Sequence, residues 1–156
     1  MKKKTVFFSI VLLLVGFSSL SAQMTKKQLQ DMYVAQLRTE GYRDISVDSD
    51  GDVVFKVQRD GATHNFYIDV MENDLQSFRI VLSDYIPMGS NRQRALDAAV
   101  SEIITTKGVS FNLASGDRIA INSFNFLAKP EDCKAVIKRM VDNILIARKD
   151  FVAKNR

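Results

Sequence analysis

Between Met24 and Glu40 the apolar residues recur at helical spacing, with Leu29, Met32, Tyr33 and Leu37 on one stripe. Thr25 and Gln28 fit a capping box at the start, and Gly41 is placed to stop the helix. After Gly41 the period falls to two. Ile45 and Val47 lead into the polar string Asp48-Ser49-Asp50-Gly51-Asp52, and Val53, Phe55 and Val57 then alternate up to Asp60-Gly61. An Asp-Gly pair between two alternating runs predicts a two-residue hairpin. His64, Phe66, Ile68 and Val70 continue the alternation, and Phe78, Ile80 and Leu82 resume it after the break at Glu72-Asn73-Asp74.

A second helical pattern opens with the capping pair Ser90 and Gln93, carries Leu96, Ala99, Val100 and Ile103 as its stripe, and closes at Lys107-Gly108. Two further strands follow, Val109-Phe111-Leu113 and Ile119-Ile121, joined at Ser115-Gly116-Asp117. Phe124 and Phe126 fall out of phase with Ile119 and Ile121, which predicts a bulge near Asn122–Ser123. Pro130 opens a last helix running to about Lys154, with Ile137, Met140, Ile144, Ala147 and Phe151 three or four apart. The expected fold is therefore α+β. Its antiparallel sheet has five or six strands in the order α-βββ(β)-α-ββ-α, with helices mainly on one face.

Residues 1–22 follow a different rule. Lys2, Lys3 and Lys4 precede a mostly apolar stretch from Val6 to Phe17, and small residues at Ser18, Ser19, Ser21 and Ala22 come next. This is the three-part pattern of an export signal, and the apolar stretch is shorter than the roughly 20 residues of a membrane span. The expected cut lies between Ala22 and Gln23, with a cut after Ser21 as the alternative because Leu20 is bulky for its position. Residues 23–156 then form one domain, exported to the periplasm or secreted, with no stable membrane insertion after cleavage.

That segment changes the meaning of the charge. The 156-residue chain carries +4, but residues 1–22 hold three lysines and no acid, which leaves 19 basic against 18 acidic side chains, or +1. A nucleic-acid partner loses its electrostatic basis. One His and one Cys leave little material for a metal centre, a His-based relay or an internal disulfide. Aligning Gly51 with the glycine of a calcium loop puts Val57 where the bidentate Glu is required, so a tight turn explains the acidic string. His64 lacks the partners of a general base, and no G-x-S-x-G elbow accompanies the serines. Cys133 continues the stripe of Ile137, Met140 and Ile144 and reads as a small buried hydrophobe, although a helix N-terminus could lower its thiol pKa and an intermolecular disulfide is left open. Gly89 to Arg94 reads as a helix cap with solvated arginines. No catalytic, metal or cofactor site is expected. Tyr85-Ile86-Pro87-Met88, an apolar run in an apparent loop, is either a lid on the core or a contact patch, so Tyr85, Ile86 and Met88 are the candidate partner contacts.

Several strings resemble a known family. Gly41-Tyr42, the run Asp50-Gly51-Asp52-Val53-Val54-Phe55-Lys56-Val57, the hairpin into Phe66-Tyr67-Ile68, the Pro87 loop, Arg94-Ala95-Leu96 and Pro130-Glu131-Asp132 are similar to the YbjN-type sensory transduction regulators. The resemblance spans nearly all of residues 24–153. It implies the fold of type III secretion chaperones, used for binding other proteins and often for self-association. The chain departs from those cytoplasmic, acidic chaperones in its export segment and near-neutral mature charge. The function expected is thus a non-enzymatic module that binds a protein or peptide through its sheet and terminal helix, a homodimer being one form of it. The alternative is a periplasmic carrier of a small apolar ligand held between the sheet and the last helix. N-terminal sequencing of the protein recovered from the cell envelope should start at Gln23, or at Ala22 for the earlier cut. A start at Met1 would overturn the export signal.

Overall fold

The computed structural model describes residues 24–155. The expected export segment and its cut at Ala22–Gln23 lie outside them. The described chain runs α1 (Lys26–Thr39), β1 (Arg43–Val47), β2 (Val53–Arg59), β3 (Ala62–Ile68), β4 (Ser77–Pro87), α2 (Arg92–Thr105), β5 (Val109–Ala114), β6 (Arg118–Phe126), a 3-10 turn (Pro130–Ala135) and α3 (Ile137–Lys154). All strand pairs are antiparallel, in the order β1-β2-β3-β4-β6-β5. The sheet follows the chain except once: α2 carries it from β4 to the far edge, and β6 returns to pair with β4.

Local chemistry accounts for most element ends. Thr25 and Gln28 cap each other's backbone at the start of α1. Arg59 pairs with Ala62 across the two-residue turn, where Asp60 and Gly61 both have positive φ, +52° and +76°. That is the type I′ geometry whose twist matches the flanking strands.

One face of the sheet carries the core. Val53, Phe55, Phe66, Ile68, Phe78, Ile80, Leu82, Ile119 and Ile121 are buried on it, under Leu29, Tyr33 and Leu37 of α1. The second layer continues through Ile137, Met140, Ile144, Ala147 and Phe151 of α3. Phe55 stacks on Phe66 at 5.4 Å between ring centres, and Phe111 meets Phe151 at 5.5 Å. Side chains fill the centre of the layer between the sheet and the helices.

Five sequence expectations are corrected. Tyr85-Ile86-Pro87 is not a loop, because β4 continues to Pro87. The irregularity lies in β4 between Leu82 and Ile86, while β6 pairs without interruption through Asn122 and Ser123. Phe124 and Phe126 simply occupy the outer face, and the inward place falls to Ser123, whose hydroxyl donates to the Gly108 carbonyl at 2.5 Å. Within that stretch of β4 the Asp84 carboxylate accepts from the Asn65 backbone N–H at 3.0 Å and its side-chain amide at 2.7 Å. The N-cap of α2 is Asn91 rather than Ser90, its side chain accepting from Arg94 N–H at 2.9 Å. The last helix is split at Val136, so Pro130 begins a 3-10 turn and α3 starts at Ile137.

The fifth correction concerns the face of α2. The stripe expected inside was Leu96, Ala99, Val100 and Ile103, yet the buried residues are Ala95, Ala98, Ala99 and Glu102. Alanines let α2 approach α3, and Glu102, only 1% exposed, meets Lys154 Nζ at 2.5 Å. Removing one partner of a buried pair strands the other, while replacing both with apolar groups is often neutral. Because Lys154 is 46% exposed, Lys154→Met should cost about 1–2 kcal/mol, and Glu102→Leu/Lys154→Met should recover most of that loss. Urea unfolding of the two variants checks the difference.

Candidate functional site

The rotation of α2 creates the most conspicuous surface of the described chain. Leu96, Val100, Ile103 and Ile104 sit at i, i+4, i+7 and i+8, which forms a second apolar row beside the alanine row. Burying the alanines turns this row outward. Val100 is 57%, Ile103 45% and Ile104 76% exposed, while Leu96 is half-buried against the core. Leu113, on the neighbouring strand β5, is also exposed. A shallow hollow of about 380 Å³ between Asp97, Val100, Ser101, Ile104 and Thr105 marks the middle of the row. Its chemistry is that of apolar contact with a polar margin. On the outer sheet face Phe124 and Phe126 are exposed too, packed edge to face at 4.8 Å.

The contact candidates from the sequence are divided by the structure. Ile86 and Met88 are buried in the core, Met88 held by its N–H donating to the Asp117 carbonyl at 3.0 Å. Tyr85 remains at the surface, with the Arg118 guanidinium 5.3 Å from its ring centre. What sequence reasoning missed is the outward row of α2. Its signal was present in the spacing of the small residues Ala95, Ala98 and Ala99, which marks a close-packed helix face as well as a larger stripe does.

The remaining candidate groups have structural partners or lie in the core. The Asp48 carboxylate accepts from Asp50 N–H at 3.0 Å and Asp52 N–H at 2.9 Å. Lys26 Nζ donates to the Asp50 carbonyl at 2.7 Å and Gln30 Nε2 to the Gly51 carbonyl at 2.9 Å, which docks the turn on α1. Asp52 accepts from Val70 N–H at 3.0 Å, and burial raises its pKa. Among the described residues no group of three or more His, Cys, Asp or Glu is placed to hold a metal. Cys133 is buried, and burial pushes its thiol up to about 11, which opposes thiolate formation.

His64 is 6% exposed and lies 3.9 Å from the Asp84 carboxylate, its Nδ1 without a hydrogen-bond partner. Burial lowers its pKa and Arg148 of α3 adds to that, against the opposing pull of Asp84 and Asp60 and of a backbone hydrogen bond with Arg59.

No protein-family model matches the chain, and no curated protein matches it. Among solved structures it is similar to the type III secretion chaperone SycH of Yersinia pestis, determined in complex with a stable fragment of YscM2. The TM-score is 0.46 at 11% identity, over 76% of this chain and 98% of that one.

His64 is the only histidine. Because its folded pKa is depressed, the unfolded chain binds a proton that the native chain refuses as pH falls below about 6.5. Stability should therefore be full above that pH and decline on acidification from pH 7 to 5.5. Urea midpoints across this range should slope in the wild type and flatten in His64→Gln. Equal slopes would contradict the assignment.

Proposed function

We propose that this chain is an exported, non-enzymatic module that binds a protein or peptide partner through the outward apolar row of α2. The observation that carries this is the exposure of Val100, Ile103 and Ile104 side by side on one helix face. Burying apolar surface is worth about 25 cal/mol per Å², and contiguous patches of this kind mark interaction sites. The hollow beside Ile104 offers a seat for a partner's side chain. The occupant favoured by this chemistry is a protein segment with its own apolar stripe. A second copy of the chain satisfies that requirement, since pairing one row on another buries both.

The pattern of residues 1–22 supports action in the periplasm or outside the cell, and the YbjN-type strings support protein binding as the activity. A mature charge of +1 gives no motive for nucleic acid. No helix among the described residues is long and apolar enough to cross a membrane.

Val100 and Ile104 are exposed, so Val100→Asp/Ile104→Asp should unfold within about 0.5 kcal/mol of the wild type. The same variant should lose the complexes recovered by crosslinking in the envelope and any dimer seen by sedimentation equilibrium. A wild-type chain that stays monomeric at high concentration and captures no partner would sink the proposal, as would a complex that survives the double substitution.

A further inference from the structure

A second site lies away from α2, where the tip of the β2–β3 hairpin meets the C-terminal half of α3. The cleft there measures about 420 Å³, within the ~300–1,000 Å³ of small-ligand sites. Arg59, His64, Arg148 and Lys149 border it, with Asp60 the one carboxylate on its lining. Leu145, Val152 and Ala62 supply an apolar wall.

Two observations separate this cleft from an ordinary solvated surface. First, its cations are unequally satisfied. Arg59 is paired with Asp142 at 3.1 Å, but no carboxylate pairs with Arg148 or Lys149 among the described residues. Second, two of the four buried polar atoms without a hydrogen-bond partner among the described residues belong to its border, Nε of Arg148 and Nδ1 of the nearly inaccessible His64, the others being Arg79 Nε and Asn155 Oδ1. A buried donor left unmade costs about 1–3 kcal/mol, more when charged.

We propose that this cleft binds the carboxylate of an amphipathic ligand, with Arg148 and Lys149 holding the anion and Leu145 and Val152 the apolar part. Arginine meets a carboxylate through parallel N–H bonds, and the Arg148 guanidinium has no carboxylate of this chain beside it among the described residues. The apolar wall selects a carboxylate with a hydrocarbon or side-chain body over a bare inorganic anion. Two sources share this chemistry: a free organic acid and the C-terminal carboxylate of a peptide.

The test is a backbone-amide NMR titration of the full chain with sodium hexanoate. Saturable shifts are expected at residues 59–64 and 145–153, with no saturation there by hexylammonium chloride. Arg148→Gln should weaken hexanoate binding about tenfold or more, and Lys149→Gln should weaken it severalfold, which keeps the test decisive if the first variant folds poorly. A short peptide ending in Leu-Val with a free carboxylate separates the sources. Tighter binding than hexanoate, lost on amidation, assigns the site to a chain terminus, and tighter hexanoate binding assigns it to a free acid. The proposal is overturned if hexanoate gives no saturable shift, if inorganic phosphate binds as well, or if folded Arg148→Gln and Lys149→Gln bind undiminished.

Discussion

The fold hangs on one stripe laid across one face of a sheet. Cys133, Ile137, Met140, Ile144, Ala147 and Phe151 recur at steps of four, three, four, three and four, and each is essentially inaccessible to solvent. An antiparallel sheet can leave one face in water, so a single helical layer suffices to close the core. With α1 over the β1–β2 side, α3 takes the remaining inner surface, meeting β4, β5 and β6. Everything else is arranged around that helix. Truncating Ile144 or Phe151 would open a cavity at the centre of this contact, where losses run to several kcal/mol.

The position of α3 decides what α2 can do. Once α3 occupies the sheet, α2 is left to pack beside it and against the edge strand β5. Close approach of two helices requires small side chains, and α2 offers Ala95, Ala98 and Ala99 on one row. Glu102 continues that row and is compensated by Lys154 from the last turn of α3. The larger aliphatics therefore have nowhere to go except outward. The same helix that closes the core thus exposes the row proposed as the contact surface, and its far end forms one wall of the cationic cleft.

Polar groups that look chemically suggestive in the sequence are mostly consumed by turns and joints. In the acidic string, one Asp48 oxygen accepts from backbone N–H groups of its own turn and one Asp52 oxygen from Val70, and the turn is fastened to α1 by Lys26 and Gln30. The Asp84 carboxylate accepts from the Asn65 backbone N–H. Cys133 is a core residue with a raised thiol pKa. Against this background, Arg148 and Lys149 border a cleft with no carboxylate paired to either among the described residues.

Elements carried by local chemistry were legible from the chain alone: the α1 capping box, the Asp60-Gly61 turn, the alternation of β2 and β3, and the stripe of α3. Each depends on contacts within a few residues or on a simple period. Where the reading failed, a distant partner had overridden the local signal. Pairing of Ile86 and Pro87 with Ile119 and Arg118 of β6 turns an apparent loop into a bulged strand, so Ile86 and Met88 return to the core and only Tyr85 stays at the surface. The phase of Phe124 and Phe126 was read as a bulge, although Ser123 fills the inward slot by bonding to Gly108. Hydrophobicity ranked Val100 and Ile103 above the alanines, but what α2 buries depends on how near α3 lies. The residues alone thus determined the class of fold, the order of its elements and the near-neutral charge of residues 23–156. Only the tertiary structure decided which face of α2 meets solvent and which cations share a cleft, because both follow from distances between elements far apart in the chain.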